Sequence, residues 1–572
     1  MKSKLGMYVL SLFVVVLVCS LFATTMSLSV HVVAQGSTVS VGPRVNSISD
    51  PVNGIYVSPS GNDATATGSI DAPYKSINTA LAAAHSGDTI VLRGGTYREG
   101  INVRVRIPNI TIKSKAGEWA VIDLTTYNPG HGEDSGVYFD VDSSGGRLQC
   151  VEVKGGWYAV ALETRWDWGD PSNRSGASNI IIEDCVLHDS RYDVVKIKPN
   201  CNNVTIRYNE IYNSGQAFAG KTPNGEDNAE GIDNVNGNNM TVQNNYIHDI
   251  CSNAIYAKGG ATNTLIENNH IEHAYGGGIL VGFDTSPEFF NTNTNPQYYE
   301  NIQSTVRNNL IIDIGWEGIG LYGSKDAQIY SNTLINVANG GQYHSAIYFG
   351  ITFQDWESYA GRPANTNPNI HHNIISQPNS IVRPMIEIRY ANELGGLSAL
   401  NGNPTMDHNC YYIAGKSATF TDRRPSSTLE NAGLTAWQTH INGEKNSIEA
   451  NPTLNNNYMP TNTQCTAMGI QNTITITTNN NNNNNSSTNN NNTNETNTNT
   501  DNENINQENN NKNNKNLNWI WIPLCITTIT IICIGIAFTI LKKKNTKTNN
   551  NTKKIIQVTK TILTNTEACT HF

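Results

Sequence analysis

The sequence predicts an all-β chain wound as a parallel β-helix, with a short N-terminal capping helix and one C-terminal transmembrane helix. Three observations predict it. A short motif recurs with gaps as small as 24 and 23 residues, aliphatic residues occupy one position of every repeat, and 23 residues from Trp519 to Leu541 carry no charge.

The folded part is expected over residues 54–470. Near its start, Ile77, Ala80, Leu81 and Ala84 are spaced for one apolar face of a helix, with Pro73 suited to the first turn and Ser86-Gly87-Asp88 ending it. Thr89-Ile-Val-Leu then reads as a strand.

The repeat follows. VTIRYNEI, TVQNNYIHDI, TLIENNHIEHA, STVRNNLIIDI and QIYSNTLINV align on a recurring Asn at 209, 245, 269, 309 and 332, continued by Asn373 and Asn409. Longer gaps of 36 to 41 residues are one coil plus a loop. A second strand in each repeat places Val195, Ile232, Ile255, Ile279, Ile319 and Ile347 at one position. Coils with stacked aliphatics define a parallel β-helix, in which each coil lies ~4.8 Å above the last. The Asn ladder reads as structural, with side-chain amides bonding up the stack at a turn that needs an unusual backbone angle.

The ends complete the plan. Residues 1–34, with Lys2 and Lys4 before an apolar run, read as a secretory signal cut near Ala34. Residues 35–53 read as a linker and 471–516 as an Asn-rich disordered stalk. Residues 517–541 are long enough to span a bilayer of ~30 Å, with Trp519 and Trp521 at an interface. The basic tail, 542–572, opens on Lys542-Lys543-Lys544 and puts the C-terminus in the cytoplasm. The expectation is a single-pass protein of the cell membrane with an extracellular ectodomain, monomeric.

Charge is 15% of residues and the net charge is −9; the tail holds +6 and the signal +2, leaving −17 between them. That balance argues against nucleic acid as a partner and suits divalent cations. Six Cys lie in the exterior part, at 150, 185, 201, 251, 410 and 465, with spacing that specifies no disulfide and no CxxC metal knuckle. P-loop, GxSxG, HExxH and EF-hand patterns are absent. His188-Asp189 and His248-Asp249 recur at one turn position, which points to turn chemistry.

The opening YVSPSGND…APYKSINTALAAA…GDTIVLRGGTY and the NNxI coils resemble the right-handed parallel β-helix proteins of the pectin-lyase-like superfamily. The resemblance covers about 400 residues. It implies a fold rather than one activity, because that superfamily includes lyases, hydrolases, epimerases and non-catalytic surface proteins.

Strand alternation turns position 3 of each second strand inward and positions 4 and 6 outward. One exposed sheet face is therefore expected to carry Asp193, Lys196, Lys198, Glu230, Asp233, Tyr256 and Lys258. These groups suit β-elimination from an acidic polysaccharide. Asp193, Glu230 and Asp233 are the candidate ligands of a Ca²⁺ that neutralises a uronate carboxylate. Lys198 or Lys258 is the candidate base and Tyr256 an accessory. Lys196, Tyr322, Trp316, Phe289 and Tyr298 are candidate sugar contacts, and loops 216–228 and 284–300 are expected to flank the face. The Asp193 to Lys198 spacing resembles the chondroitinase-B- and alginate-lyase-like families, in which an acid precedes the catalytic Lys by five residues. The match departs on the next coil, where those families carry an Arg and this chain has Glu230-Gly-Ile-Asp233. Their first metal-binding acid falls on Arg191 here, and pectate-lyase-like calcium sites are matched only in part. The competing expectation is a non-catalytic adhesin-like or structural envelope protein that holds glycans or neighbouring cells.

Overall fold

The computed structural model describes residues 37–478, apart from 128–129, 167–172, 216–227, 341–343, 353–361 and 382. The expected signal, most of the stalk, the span and the tail lie outside the described residues. Among the described residues, no helix is long and apolar enough to cross a membrane.

The coils build three sheets of 12 strands each. One turn runs from Thr205–Arg207 in sheet 1 to Glu210–Tyr212 in sheet 2 and Ile232–Val235 in sheet 3, then re-enters sheet 1 at Thr241–Gln243. Within these three sheets successive coils pair in parallel, and among their described residues only the last strand of sheet 3, Leu429–Ala432, pairs antiparallel. The predicted register holds. Val195, Ile232, Ile255, Ile279, Ile319 and Ile347 are direct partners along sheet 3, and each is fully buried. Each such side chain contributes about 1.5–3 kcal/mol by leaving water.

The Asn ladder joins sheets 1 and 2. The Oδ1 of Asn269 accepts both the backbone N–H and the Nδ2 of Asn245 at 3.0 Å. Asn269 donates in the same way to Asn309, and the pattern runs from Asn209 to Asn409. The unusual angle falls on the residue just before each ladder Asn, as at Asn244 (φ 59°), Asn268 (φ 55°) and Asn308 (φ 54°). Asp189 (φ 55°) and Asp249 (φ 52°) sit at the equivalent turn into sheet 3, and Tyr212 stacks between His188 and His248 at 4.5 and 4.9 Å. The His-Asp pairs are thus turn and stack elements.

The helix spans Ile77–Ala83 and buries Ile77, Ala80 and Leu81 against the core. It starts later than Pro73 suggested. Asp63 Oδ1 takes the N–H groups of Lys75 and Ser76 at 2.7 and 3.0 Å, which keeps that segment extended until Ser76 caps the helix. The ordered unit also exceeds the expected bounds. Thr38–Val41 pairs in parallel with Thr473–Ile476, and both Nε and Nη2 of Arg44 donate to Asp184 at 2.7 Å. Part of the expected linker is therefore docked on the solenoid. Cys410 and Cys465 form a disulfide, while Cys150, Cys185, Cys201 and Cys251 are buried thiols.

Candidate functional site

The outer side of sheet 3 collects the chemistry. Lys196, Asp233 and Tyr256 are direct partners on three successive coils, continued by Leu280, and Val235 is paired with Lys258. Asp193 and Glu230 sit just before the first two of those strands. One carboxylate oxygen each from Asp193, Glu230 and Asp233 lies within 4.8 Å of the others. The residues expected to share a face do share it.

The face differs from expectation in its exposure. Asp193, Glu230 and Asp233 are only 2%, 1% and 1% exposed, and Tyr256 is equally covered. The outward direction of a strand residue does not put it in water when other chain segments lie on the sheet. Tyr158 stands 5.7 Å from Lys196 Nζ, and the Phe283 ring stacks on Tyr256 at 5.9 Å. Of the two flanking loops, 216–227 lies outside the described residues.

Buried carboxylates need partners. Lys196 Nζ bridges two of them: it lies 3.2 Å from Asp193 Oδ2 and donates to Asp233 Oδ2. Asp193 Oδ1 accepts the Glu230 backbone N–H at 3.0 Å. Burial pushes Asp193 up, but the Lys196 charge outweighs it and holds the carboxyl below its ordinary value. Burial, with the nearby Asp193 charge, pushes Glu230 well above the carboxylate range. Asp233 is also raised by burial, opposed by Lys196. Lys196 itself is held well above the lysine range, because the two aspartates outweigh its burial. Three carboxyl groups thus share one close cation, and burial keeps Glu230 from ionising beside the two aspartates. Glu230 Oε2 and Asp233 Oδ1 are buried without a hydrogen-bond donor among the described residues.

The two candidate bases differ in setting. Lys198 Nζ is held by Glu163 at 2.6 Å, so its charge is engaged one coil away. Lys258 Nζ lies 4.3 Å from the Tyr256 ring centroid, donates to the Asp284 carbonyl at 3.1 Å, and its charge favours ionised Glu230 and Asp233. Tyr256 is kept protonated, its phenol raised by burial and then by the Asp233, Glu230 and Asp193 charges.

The candidate sugar contacts are more occupied than expected. Lys196 is the internal cation just described. Tyr322 is buried and donates its hydroxyl to Glu317 Oε1 at 2.6 Å. Trp316 stacks on His344 with ring centroids 5.0 Å apart. Phe289 lends its carbonyl to Asn236 Nδ2 at 2.5 Å, and Tyr298 packs edge-on to Phe290 at 5.3 Å. Loop 284–300 is tied down at its end by Glu300, whose Oε2 accepts from Thr285 Oγ1 at 2.7 Å and from the Gly259 N–H at 2.9 Å. Arg362 Nε lies 3.5 Å from Glu300 Oε1.

Burial pushes Glu300 up to about 8 against these partners. A carboxyl raised by folding stabilises the fold below its unfolded value and loses that contribution as pH rises through about 8. The melting temperature is expected to fall over that window, and Glu300→Gln is expected to flatten the fall. An unchanged pH profile in the variant would contradict this reading.

Glu317, His344, Glu300 and Arg362 were not assigned by the sequence reading as a site. Glu317 stands two residues before its strand, as Asp193 and Glu230 do before theirs, but no repeat marks its partner His344 on the next coil.

The fold is a right-handed parallel β-helix. Residues 172–346 and 231–410 match the family described as right handed beta helix region, and residues 59–111 match a protein of unknown function (DUF1565). Pectate lyase PEL9 of Emericella nidulans is 42% identical over 74 residues, covering 12% of this chain and 18% of that protein. The chain thus spans under a fifth of that curated relative. Similar solved structures include pectate lyase Pel9A (15% identity, 60% of this chain and 80% of that one, TM-score 0.40). Others are the A-module of Azotobacter vinelandii mannuronan C-5 epimerase AlgE6 (14%, 66% and 95%, 0.41) and PfbA, a surface adhesin of Streptococcus pneumoniae (12%, 62% and 90%, 0.38).

Proposed function

We propose that this protein binds acidic polysaccharide at sheet 3 and cleaves it by β-elimination, held at the cell surface by the 517–541 span. The observation that carries the reading is the buried Asp193–Glu230–Asp233 cluster with Lys258 and a protonated Tyr256 beside it. The short stretch shared with a pectate lyase supports the same class.

The cluster suits Ca²⁺. Its donors are hard carboxylate oxygens, two of them orphaned, and their spacing fits ligands at ~2.3–2.6 Å from one ion. Asp193, Glu230 and Asp233 would hold the ion, with Lys196 moved aside from the two aspartates. Bound there, Ca²⁺ supplies the positive charge that neutralises a uronate carboxylate and acidifies the neighbouring C–H. Lys258, in its neutral amine form after losing its own proton to solvent, would take the proton from that carbon, and Tyr256 would donate to the leaving glycosidic oxygen.

Purified protein is expected to release unsaturated uronate ends from polygalacturonate or alginate, and to do so faster with Ca²⁺ than with the ion chelated. No unsaturated product from any uronate polymer would overturn the lyase reading.

The near-complete burial of the cluster favours a second reading, a non-catalytic adhesin-like or envelope protein in which Lys196 locks two coils together. Glycan binding that survives Lys198→Ala and Lys258→Ala, without product, is the result that reading expects.

A further inference from the structure

Farther along sheet 3, four coils and ~19 Å from Asp233, a second group of reactive side chains surrounds a cleft of about 770 Å³. Glu317 is wholly buried there, and its Oε2 lies 2.5 Å from His344 Nδ1. The His344 ring is clamped on its other side by Trp316, with 3° between the planes. With its ring proton on Nδ1, which faces that carboxylate, His344 would keep Nε2 as an acceptor. His344, Tyr322 and Tyr348 all line the cleft, with Arg389, Arg423, Glu387 and Glu393 around them.

The charges have settled partners. Arg389 Nη2 pairs with Glu393 at 3.0 Å, and Arg423 Nε with Glu387 at 2.8 Å. The Tyr322 hydroxyl belongs to Glu317. Burial pushes Glu317 up, yet His344 and Tyr322 outweigh it and keep the carboxyl below its ordinary value. Burial raises the Tyr348 phenol, opposed by Arg389, so it stays protonated at neutral pH.

We infer that this cleft is a second elimination centre for an acidic sugar unit, one that needs no metal, with His344 as base and Tyr348 as acid. The assignment of substrate rests on the acidic-polysaccharide reading above. Arg389 and Arg423 present guanidinium groups to the sugar carboxylate. His344 Nε2 takes the proton from the carbon beside that carboxylate. The C–H electron pair becomes the new C=C bond, and the C–O bond to the next sugar breaks. The leaving oxygen takes the Tyr348 hydroxyl proton, and the proton on His344 returns to Tyr348 through solvent. No oxidant, reductant or co-reactant is consumed. Glu317 is a positioning residue, and it touches His344 rather than substrate.

The test measures unsaturated product from uronate polymers in chelator, using the full chain and four variants: Asp193→Asn/Asp233→Asn, His344→Gln, Tyr348→Phe and Lys258→Ala. The inference expects chelator-resistant product that survives in the double variant and in Lys258→Ala. It expects a fall of about 10²-fold or more in His344→Gln and in Tyr348→Phe. Tyr348→Phe keeps the ring packing, so its loss separates chemistry from misfolding. Chelator-resistant product that is unchanged in both His344→Gln and Tyr348→Phe overturns the inference. Product that needs Ca²⁺ and the aspartates overturns it while leaving the first reading standing. No product under any condition overturns both.

Discussion

Replacing Lys258 with alanine is expected to lower Ca²⁺-dependent product formation by about 10²–10⁴-fold, the usual worth of a positioned proton acceptor. The expectation follows from placement. Lys258 stands against Tyr256 and next to the three carboxylates, while Lys198 is paired with Glu163 on an earlier coil. Lys198→Ala is therefore expected to cost much less. The two variants remove the same functional group from positions of equal strand register, so their difference reports local setting rather than net charge. Equal rates in both would remove Lys258 from the chemistry.

The second large effect is on stability. Asn269→Ala is expected to destabilise the solenoid by about 3 kcal/mol or more, at roughly 1–3 kcal/mol for each buried group left unpaired. The variant strands the Asn245 backbone N–H, which donates to Asn269 Oδ1, takes one of three acceptors from Asn245 Nδ2, and frees the Val242 carbonyl that Asn269 Nδ2 satisfies. The positive φ belongs to Asn268, so alanine fits the backbone at 269 and the loss is that of the amide alone. Denaturant unfolding measures it, and a change under ~0.5 kcal/mol would contradict a structural role for the ladder.

Much of this fold is legible in the chain because a parallel solenoid stacks like on like. Ile232, Ile255 and Ile279 are partners in space for the reason that they recur in sequence. The same logic places Asp193, Glu230 and Asp233 together, since neighbours across coils share a position. What lies above the sheet does not follow that logic. The covering of Asp233 and Tyr256 depends on loops with no repeat, and a pattern of inward and outward residues carries no information about them. Lys196 looked like a free surface cation until its register set it between two aspartates. The Glu317–His344 pair joins residues that stand just before two successive strands, Ile319–Tyr322 and Ile347–Gly350, and His344 lies off the repeat position. Arg44 and Lys113 dock residues expected as linker through ion pairs with Asp184 and Asp50, a long-range pairing that composition does not encode.

The central claim is that the Asp193–Glu230–Asp233 cluster is a calcium site. Titrating the full chain with Ca²⁺ by calorimetry tests it most directly, beside an Asp193→Ala/Asp233→Ala variant shown to be folded by its thermal unfolding. The account predicts one ion bound per chain and no binding in the variant. Absent binding, or binding that the two substitutions leave unchanged, would contradict it.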